Sequence, residues 1–462
     1  MSLLQNLALS IQDNVRQLES EVGEDQNQFF AHKPVVSKFD DLSYIHSQAA
    51  VELIDKLRTD IKALEAAITP AKYKLTNLGL SSIKASALNV AIELEITDRI
   101  EAMGGSVTID ELATKLQVNA NKLGHILRIL AAEGVFVETT PNNFSNTRHS
   151  LELTSAGNGK DMISFFAREC SQSTLGLYES LTSPEARNSF GLETAPFTFA
   201  FPDSQSFLEW ITRDNNAKSA KKVMMGVVPY LNQITRPALI HDYPWSSLGS
   251  ARVIDLGCGP GDAAVDIMRQ YPDLRWTFQD LPSVVKNTEK VGVRFKVVES
   301  WCSGSLTDLK SRLPPDVLSR MQFEAQDYFQ PNKSRGDVFF LRGVIRDYGD
   351  EQTIAILAQA KEAMRDVPGS RMLINEIVCG APALISNTKP MDPSSHNIPS
   401  DQSAMIETAN LMASSAQSIF GGCERSLYEI QMLLDQTGLE MKVFYQLRSF
   451  TAMIECTVKN SE

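Results

Sequence analysis

The sequence predicts an α/β protein in which a Rossmann-like, mostly parallel sheet follows N-terminal helices and a winged helix. Beyond residue 250, short apolar strands alternate with helical stretches, the pattern of a doubly wound sheet. Earlier in the chain, apolar residues recur at three- and four-residue spacing, which is typical of amphipathic helices. These changes of pattern predict four segments: N-terminal helices at 1–83, a winged-helix-like region at 84–158, a helical segment at 159–248 and the sheet domain at 249–462.

The first segment contains a predicted helix at Ala49–Ile68 with a single apolar stripe. The stripe consists of Val51, Ile54, Leu57, Ile61 and Leu64. Such a stripe packs either on its own domain or on a second subunit. Because this helix precedes any complete core, we expect a homodimer in which the N-terminal helices exchange contacts.

The second segment has the outline of a winged helix. Thr108 and Glu111 have the spacing of a capping box at the start of one helix, and Gly134 ends the next. Winged helices often bind DNA. However, the candidate recognition helix offers only Lys122 and Arg128 as firm positive charges. We therefore predict a structural, dimer-forming role and no nucleic-acid partner.

Composition argues against several other functions. The chain has 462 residues and a formal charge of −12, which disfavours nucleic acids and anionic membranes. No apolar run approaches the roughly 20 residues of a membrane span, and the N-terminus lacks the features of a signal peptide. The six cysteines are scattered without a CxxC pair, and no HxxxH or HExxH pair is present. We expect no metal site and a reducing, cytoplasmic setting.

The third segment is helical and rich in aromatic residues. They are Phe165, Phe166, Tyr178, Phe197, Phe199, Phe201, Phe207 and Trp210. Most are expected in the core, while a minority could line an apolar pocket for a small-molecule substrate. The sequence does not separate the two groups.

The most informative stretch is Arg252–Asp262, where a buried strand runs into a glycine-rich loop and then a helix. Gly257, Gly259 and Gly261 allow a sharp turn and a close approach of the backbone to a ligand. Their spacing is G-x-G-x-G, whereas dinucleotide sites have G-x-G-x-x-G.

Acidic residues around this loop also disfavour a dinucleotide. Asp255 and Asp262 flank the turn, where a pyrophosphate would meet two carboxylates. The next strand ends in Asp280-Leu281, and a carboxylate there can accept hydrogen bonds from both hydroxyls of a ribose. A zwitterionic amino acid with an adjacent sulfonium suits these charges, which predicts an S-adenosylmethionine-type cofactor.

These motifs resemble the plant and fungal small-molecule O-methyltransferase family, which joins a winged-helix dimerisation domain to a class I methyltransferase domain. The resemblance covers residues 84–458 and implies S-adenosylmethionine as the cofactor. Its matching stretches are Val253–Asp262, Phe278–Pro282, Gln326–Phe329, Asp337–Tyr348, Ile374–Ile377 and Gly421–Ser426.

The same resemblance implies roles for individual residues. Asp327 and Tyr328 would lie beside the adenine, and Arg342 would take the place of a basic residue near the cofactor. Glu376 and Glu424 occupy the positions of two acids that flank the family's catalytic histidine.

The chain departs from the family at that histidine. The family pattern is His-Asp-Trp, whereas this chain has Arg346-Asp347-Tyr348. Arginine stays protonated and cannot act as the base. It can hold a substrate oxygen and stabilise negative charge that develops there. The structural alternative is an arginine that forms a salt bridge beside Asp347.

Two catalytic functions remain open. The protein could still transfer methyl groups, with Glu424 or His149 as the base or with a substrate acidic enough to need none. Alternatively, it keeps the cofactor and has lost methyl transfer. At the dipeptide Arg346-Asp347, the chain resembles the fungal O-methyltransferase-like pericyclases of the leporin type. That resemblance favours dehydration and pericyclic reactions of a quinone methide; a non-catalytic binding role is the third alternative.

In the pericyclase scheme the sulfonium acts as a fixed positive charge, while an arginine and a histidine hold oxygens of the substrate. His149 is the first candidate for that histidine, with an exposed loop histidine as the structural alternative. His396, in a long loop, is a second candidate. Either Glu376 or Glu424 could pair with Arg346.

Overall fold

The computed structural model describes residues 2–23, 41, 44–155, 159–259, 261–282, 313–380 and 404–459. By packing, these residues form two units. The N-terminal unit comprises residues 1–172 and 214–233, and the C-terminal unit comprises residues 173–213 and 234–462. This division is coarser than the four predicted segments, whose boundaries stay predictions.

The N-terminal unit begins with amphipathic helices, as predicted. They are α1 Leu3–Val22, α2 Gln48–Ile68, α3 Ala71–Gly79, α4 Ser81–Glu93 and α5 Ile96–Ala102. Helix α2 packs on α1, where the Asp60 carboxylate accepts hydrogen bonds from Ser10 at 2.6 Å and from Asn14 at 2.9 Å. The predicted stripe on α2 is only partly covered, since Ile61 remains 49% exposed.

A winged helix follows in the same unit. Its elements are β1 Ser106–Thr108, α6 Ile109–Leu116, α7 Ala120–Ala132, β2 Phe136–Thr140 and β3 Asn143–Asn146. The strands form an antiparallel sheet in the order β1-β3-β2. The predicted capping box is present, because the Glu111 N–H donates to Thr108 Oγ1 and the Thr108 N–H donates to Glu111 Oε2. On α7, Arg128 forms an ion pair with Glu138 at 2.9 Å, which neutralises one of the two cations considered for DNA.

Short helices connect the winged helix to the large sheet. They are α8 Arg148–Leu151, α9 Gly159–Phe165, α10 Ser171–Ser173, α11 Leu177–Thr182, α12 Pro196–Ala200, α13 Phe207–Ile211, α14 Ala217–Lys222 and α15 Val228–Asp242. Most of the predicted core aromatics are buried or half-buried, whereas Tyr178 is exposed. In the C-terminal unit, the buried Phe207 ring meets Phe420 edge to face, with centroids 5.5 Å apart.

The C-terminal unit is built on the predicted doubly wound sheet. Its elements are β4 Arg252–Leu256, α16 Asp262–Gln270, β5 Arg275–Asp280, α17 Pro315–Leu318, β6 Met321–Ala325, β7 Val338–Arg342, α18 Asp350–Arg365, β8 Arg371–Cys379, α19 Ala404–Phe420, β9 Arg425–Ser426, α20 Leu427–Thr437, β10 Leu439–Gln446 and β11 Thr451–Val458. The strand order is β10-β11-β8-β7-β4-β5-β6, with β9 paired to β8. Strands β4 to β8 pair in parallel, and β11 and β10 close one edge antiparallel.

Both faces of this sheet are covered, which explains why its strands are apolar without alternation. On β4, Val253 faces one core cluster and Ile254 faces the other. On β7, Phe340 faces the same cluster as Val253, and Phe339 faces the same cluster as Ile254. The parallel pairing brings the carboxyl ends of β4, β5, β7 and β8 to one edge, where a doubly wound fold places its ligands.

The structure also differs from the predictions in detail. Strand β6 was not predicted, because its sequence, Met-Gln-Phe-Glu-Ala, lacks the continuous apolar run of a central strand. The predicted loop at 302–320 ends in helix α17, and its residues 302–312 lie outside the described part of the chain. The predicted loop at 380–402, with His396, lies almost entirely outside it as well. No helix in the described ranges is long and apolar enough to span a membrane.

Candidate active site

The glycine-rich loop joins β4 to α16 as predicted. Gly257, Gly259 and Gly261 all have positive φ, at 72°, 54° and 73°, a region that favours glycine. The N–H of Gly257 donates to the Gln279 carbonyl at 2.9 Å, which ties the loop to β5. A Cβ at position 257 would come within 3.2 Å of Tyr328, so this glycine is also needed for close packing.

Asp280, at the end of β5, faces this loop. One carboxylate oxygen accepts from the Gly259 N–H at 2.9 Å, and the other accepts from the Leu281 N–H at 2.7 Å. Burial raises the pKa of Asp280, although these two hydrogen bonds oppose the shift. Each oxygen can accept a second hydrogen bond, so the side chain is held rigidly and still has capacity for two ligand hydroxyls.

Asp255 and Arg342 form a buried charged layer next to the loop. Burial raises the pKa of Asp255 to about 7, although the Arg342 charge lowers it in part. Burial and the nearby charges of Arg236 and Arg346 lower the pKa of Arg342 to about 10. Arg342 donates to Thr235 Oγ1 at 3.3 Å. A free carboxylate beside a guanidinium is complementary to an amino-acid zwitterion.

Asp327 and Tyr328 follow the end of β6. The Asp327 carboxylate accepts from the Phe329 N–H at 2.9 Å, which fixes the turn. The Tyr328 hydroxyl lies 2.5 Å from the Tyr348 hydroxyl, and the two rings meet edge to face. Because Tyr328 also lies over Gly257, this residue connects the cofactor loop with the turn that carries Arg346.

These residues fit S-adenosylmethionine. The loop has no side chain at Gly257 or Gly259 to obstruct a ligand, Asp280 can accept from a ribose, and Asp255 with Arg342 matches a zwitterion. Among the described residues, no group of three or more His, Cys, Asp or Glu side chains could hold a metal ion.

Arg346 lies in a single helical turn, Ile345–Asp347, that follows β7. Its Nη1 is 3.4 Å from Glu424 Oε1, and its Nε is 3.9 Å from Asp347 Oδ1. The side chain is 37% exposed. Burial lowers the pKa of Arg346, but the surrounding carboxylates raise it more, so its net pKa lies above the ordinary value.

Two buried glutamates flank this arginine, as the resemblance implies. Glu376, on β8, accepts from the Ile345 N–H through Oε1 at 3.0 Å. No donor among the described residues reaches Oε2 of Glu376 or Oε2 of Glu424. Burial and the Glu424 charge raise the pKa of Glu376, and burial raises the pKa of Glu424 although Arg346 opposes this.

Arg425 is a residue next to this turn that the sequence analysis did not single out. It is 4% exposed and donates to the carbonyls of Ile345 at 2.8 Å and Tyr348 at 2.7 Å. It also pairs with Asp350 at 2.9 Å. Arg425 therefore clamps the turn that carries Arg346. Its place in the Gly421–Ser426 motif, directly after Glu424, was the available signal.

His149 lies in the N-terminal unit, on α8. Its Nδ1 is 3.2 Å from the Gly134 carbonyl, and the side chain is exposed within that unit. The expected approach of His149 to a substrate held by Arg346 stays a prediction.

Comparison with known proteins agrees with this geometry. Residues 187–440 match the O-methyltransferase domain, and residues 76–155 match the O-methyltransferase dimerisation domain. The chain belongs to the O-methyltransferase family. Its predicted family and fold, a class I methyltransferase sheet with an N-terminal dimerisation domain, are thereby confirmed, and membership supports the predicted S-adenosylmethionine cofactor.

Fungal relatives match over most of their length. O-methyltransferase tpcA of Aspergillus fumigatus is 27% identical over 449 residues, which cover 88% of this chain and 88% of the relative. O-methyltransferase gedA of Aspergillus terreus is 26% identical over 412 residues, which cover 80% of this chain and 79% of the relative. Over most of its length the chain is therefore similar to fungal proteins named O-methyltransferases.

Solved structures share the fold. Mitomycin 7-O-methyltransferase MmcR has a TM-score of 0.57 and 20% identity, with 86% of this chain and 99% of that chain covered. LepI in complex with SAM has a TM-score of 0.58 and 18% identity, with 89% and 95% covered. A structure described as a pericyclic reaction enzyme has the same TM-score and identity. At these identities the likeness shows the fold alone.

Proposed function

We propose that this protein is a SAM-dependent pericyclase and dehydratase of secondary metabolism that acts on a polyketide- or pyridone-derived quinone methide. The observation that carries the proposal is Arg346, a permanently charged guanidinium at the position of the family's catalytic base. Its carboxylate neighbours raise its pKa further, which removes any role as a base.

The cofactor is S-adenosylmethionine. Asp280 accepts hydrogen bonds from the ribose hydroxyls, and the backbone of Gly257–Gly261 allows the close approach of the amino-acid portion. Leu281, Asp327 and Tyr328 form the adenine side of the site. When bound, the cofactor supplies a fixed sulfonium charge beside the substrate.

Arg346 binds a substrate oxygen on which negative charge develops. A guanidinium has five N–H donors, and only one lies within hydrogen-bond distance of Glu424. The remaining donors have no hydrogen-bond acceptor among the described residues and can hold a phenolate or enolate oxygen by charge-assisted hydrogen bonds. Asp347 limits the rotation of the guanidinium.

The second candidate function is ordinary O-methyl transfer with Glu424 as the base. It is favoured by the buried Oε2 of Glu424, which no donor in the described part of the chain reaches, and by the raised pKa of that carboxyl. A carboxylate with a raised pKa accepts a phenolic proton more readily than an ordinary glutamate does.

Product mass distinguishes the two functions. The purified protein is incubated with S-adenosylmethionine and with phenols or pyridones that carry a side-chain alcohol. The proposal predicts loss of water, followed by an isomer of unchanged mass. A product that has gained one methyl group would contradict the proposal and support O-methyl transfer.

We also propose a homodimer formed through the N-terminal helices. Apolar side chains are exposed on this face: Ile68, Tyr73, Leu75, Leu78 and Ile83. Light scattering at micromolar concentration should show a dimer, and Leu78→Asp should yield a folded monomer, since Leu78 is 69% exposed within its chain. Leu181→Asp, at an equally exposed leucine of the C-terminal unit, is the control that stays dimeric. A monomeric wild type would contradict this assembly.

A further inference from the structure

The charges around Arg346 do not balance if every group is ionised. Three carboxylates surround one guanidinium: Asp347, Glu376 and Glu424. The other cations near the turn are engaged, since Arg425 pairs with Asp350 and Arg342 faces Asp255. Asp347 is 61% exposed, so water stabilises its charge. Among the described residues, Arg346 is the one cation within ion-pair distance of either glutamate, at Glu424, whereas Arg342 and Arg425 act on the pair from farther away. The imbalance therefore falls on the two glutamates.

Burial makes this imbalance costly. Glu376 is 3% exposed and the Glu424 side chain is also 3% exposed. Each has one oxygen that no donor among the described residues reaches. An unpaired buried carboxylate is strongly disfavoured, and it takes up a proton in preference to remaining charged. One bound proton restores charge balance with Arg346 and turns an unsatisfied oxygen into a hydrogen-bond donor.

We infer that Glu376 and Glu424 hold one proton between them and donate it to the hydroxyl group that leaves the substrate as water. This role rests on the proposed dehydration and assigns its general acid. In this arrangement the two glutamates flank an arginine where the family has a histidine. They form an acid pair next to Arg346, which holds the substrate oxygen that becomes negative.

The step is balanced in atoms and electrons. The proton passes from the pair to the hydroxyl oxygen of the substrate, the carbon–oxygen bond breaks, and its electron pair leaves with water. The phenol or enol oxygen held by Arg346 supplies electrons through the conjugated ring and becomes the carbonyl of the quinone methide. The proton of that phenol or enol returns to the pair, which is then ready for another turnover.

Several neighbouring groups affect the pKa values of Glu376 and Glu424. Asp347 and Arg346 face it from the turn after β7, and Arg342 faces Glu376 from β7. Arg425 and Cys379 lie near Glu424. Arg346 favours ionisation of both glutamates, whereas burial and the mutual repulsion of the two carboxylates favour the bound proton. Replacing one glutamate removes this repulsion, so the pKa of the other should fall.

Infrared spectroscopy tests the bound proton without any substrate. At pH 7, wild-type protein should give the carbonyl band of a protonated carboxylic acid, and this band should shift in D₂O. The part of the band that belongs to the pair should be lost in Glu376→Gln and in Glu424→Gln, whereas the part contributed by Asp255, whose pKa is raised to about 7, should remain in both variants. The whole band should persist in Glu362→Gln, which replaces an exposed glutamate on α18. Absence of the band in wild type would overturn the inference.

The pH profile of dehydration tests whether the pair donates its proton to the substrate. With a pyridone alcohol as the probe, each Gln variant should lose about a hundredfold or more of kcat, the usual range for a general acid. The alkaline limb of the residual activity should move to lower pH, and Glu424→Asp should restore part of the rate. A merely structural role would lower the rate without moving that limb. If the band is present but the product is methylated, the proposed function fails while the proton pair stands.

Discussion

Asp280 is a half-buried carboxylate and Glu424 a buried one, both in the C-terminal unit, and their hydrogen bonding differs. Both oxygens of Asp280 accept backbone N–H groups, from Gly259 and Leu281. Glu424 has one long hydrogen bond from Arg346, and its other oxygen has no donor within the described ranges. The cofactor end of the site is thus organised by the backbone before any ligand binds. The Arg346 end has unused hydrogen-bonding capacity, which is what a group that exchanges a proton with substrate requires.

The two ends also differ in how far apart in the sequence their residues lie. The loop and Asp280 come from two consecutive strands that lie side by side. The Arg346 end combines the turn at 345–347, Glu376 on β8 and the segment after α19. Only the fold brings these together: Arg425 donates to the turn, and its strand β9 pairs with β8.

The largest expected effect is at Arg346. Arg346→Ala should lower kcat about a hundred- to a thousandfold, on the order of 2.7–4 kcal/mol, because the developing oxyanion loses its donors. Cofactor affinity should hardly change, since Asp280 and the glycine loop are untouched. Arg346→Lys keeps the positive charge but lacks the planar, forked arrangement of guanidinium N–H donors, so it should recover only part of the rate.

Two further substitutions sharpen this result. Arg365→Ala removes an exposed arginine of α18 and should leave turnover unchanged. Arg346→His restores the family residue and should damage the native reaction. Full turnover in Arg346→Ala would mean that this arginine is structural, and the contrast between the two ends would disappear.

At the cofactor end, the expected effect is on binding. Asp280→Ala should weaken S-adenosylmethionine binding by about 1.5–3 kcal/mol for each charged hydrogen bond lost, which is roughly ten- to a hundredfold. Titration calorimetry measures this directly. Asp366→Ala, at an exposed aspartate that pairs with Arg335, is the matched control. Unchanged affinity in Asp280→Ala would place the ribose elsewhere.

The smallest expected effect is on stability. Because the folded-state pKa of Glu376 is raised above that of an unfolded glutamate, the folded protein binds the extra proton. Wild-type stability should therefore fall as pH rises from about 4.3, the unfolded value, through the raised folded value. Glu376→Gln lacks this proton and keeps an acceptor for the Ile345 N–H.

Chemical denaturation at several pH values checks this expectation. Glu376→Gln should gain on the order of 1–3 kcal/mol over wild type at pH 9, and the gain should vanish near pH 4. The surface variant Glu362→Gln should show no such trend. A difference independent of pH would mean that Glu376 is an ordinary ionised carboxylate in the folded protein.

The sequence predicted the parts of the site whose residues lie close together in the chain. A strand, three glycines and an acid at the next strand end define the loop and Asp280, because backbone geometry restricts which residues can stand there. It also predicted the doubly wound sheet and the winged helix from periodicity. Strand β6 was not predicted because it is an edge strand that lacks the continuous apolar run of β4 or β7.

Contacts between distant side chains could not be predicted in the same way. The Tyr328–Tyr348 hydroxyl pair, the Arg425 clamp and the two unsatisfied glutamate oxygens depend on packing between elements that are far apart in the chain. The resemblance supplied the positions of Glu376 and Glu424, but not their protonation, which follows from the burial and the charges that the fold creates.

The most direct test of the central claim is the fate of the cofactor during turnover. S-adenosylhomocysteine and product are measured together over many turnovers of the wild-type protein with a pyridone alcohol. Because Arg346 acts as a fixed charge and not as a base for methyl transfer, product should accumulate while S-adenosylhomocysteine stays near zero. One S-adenosylhomocysteine formed for each product molecule would show that the protein is a methyltransferase and would contradict the account.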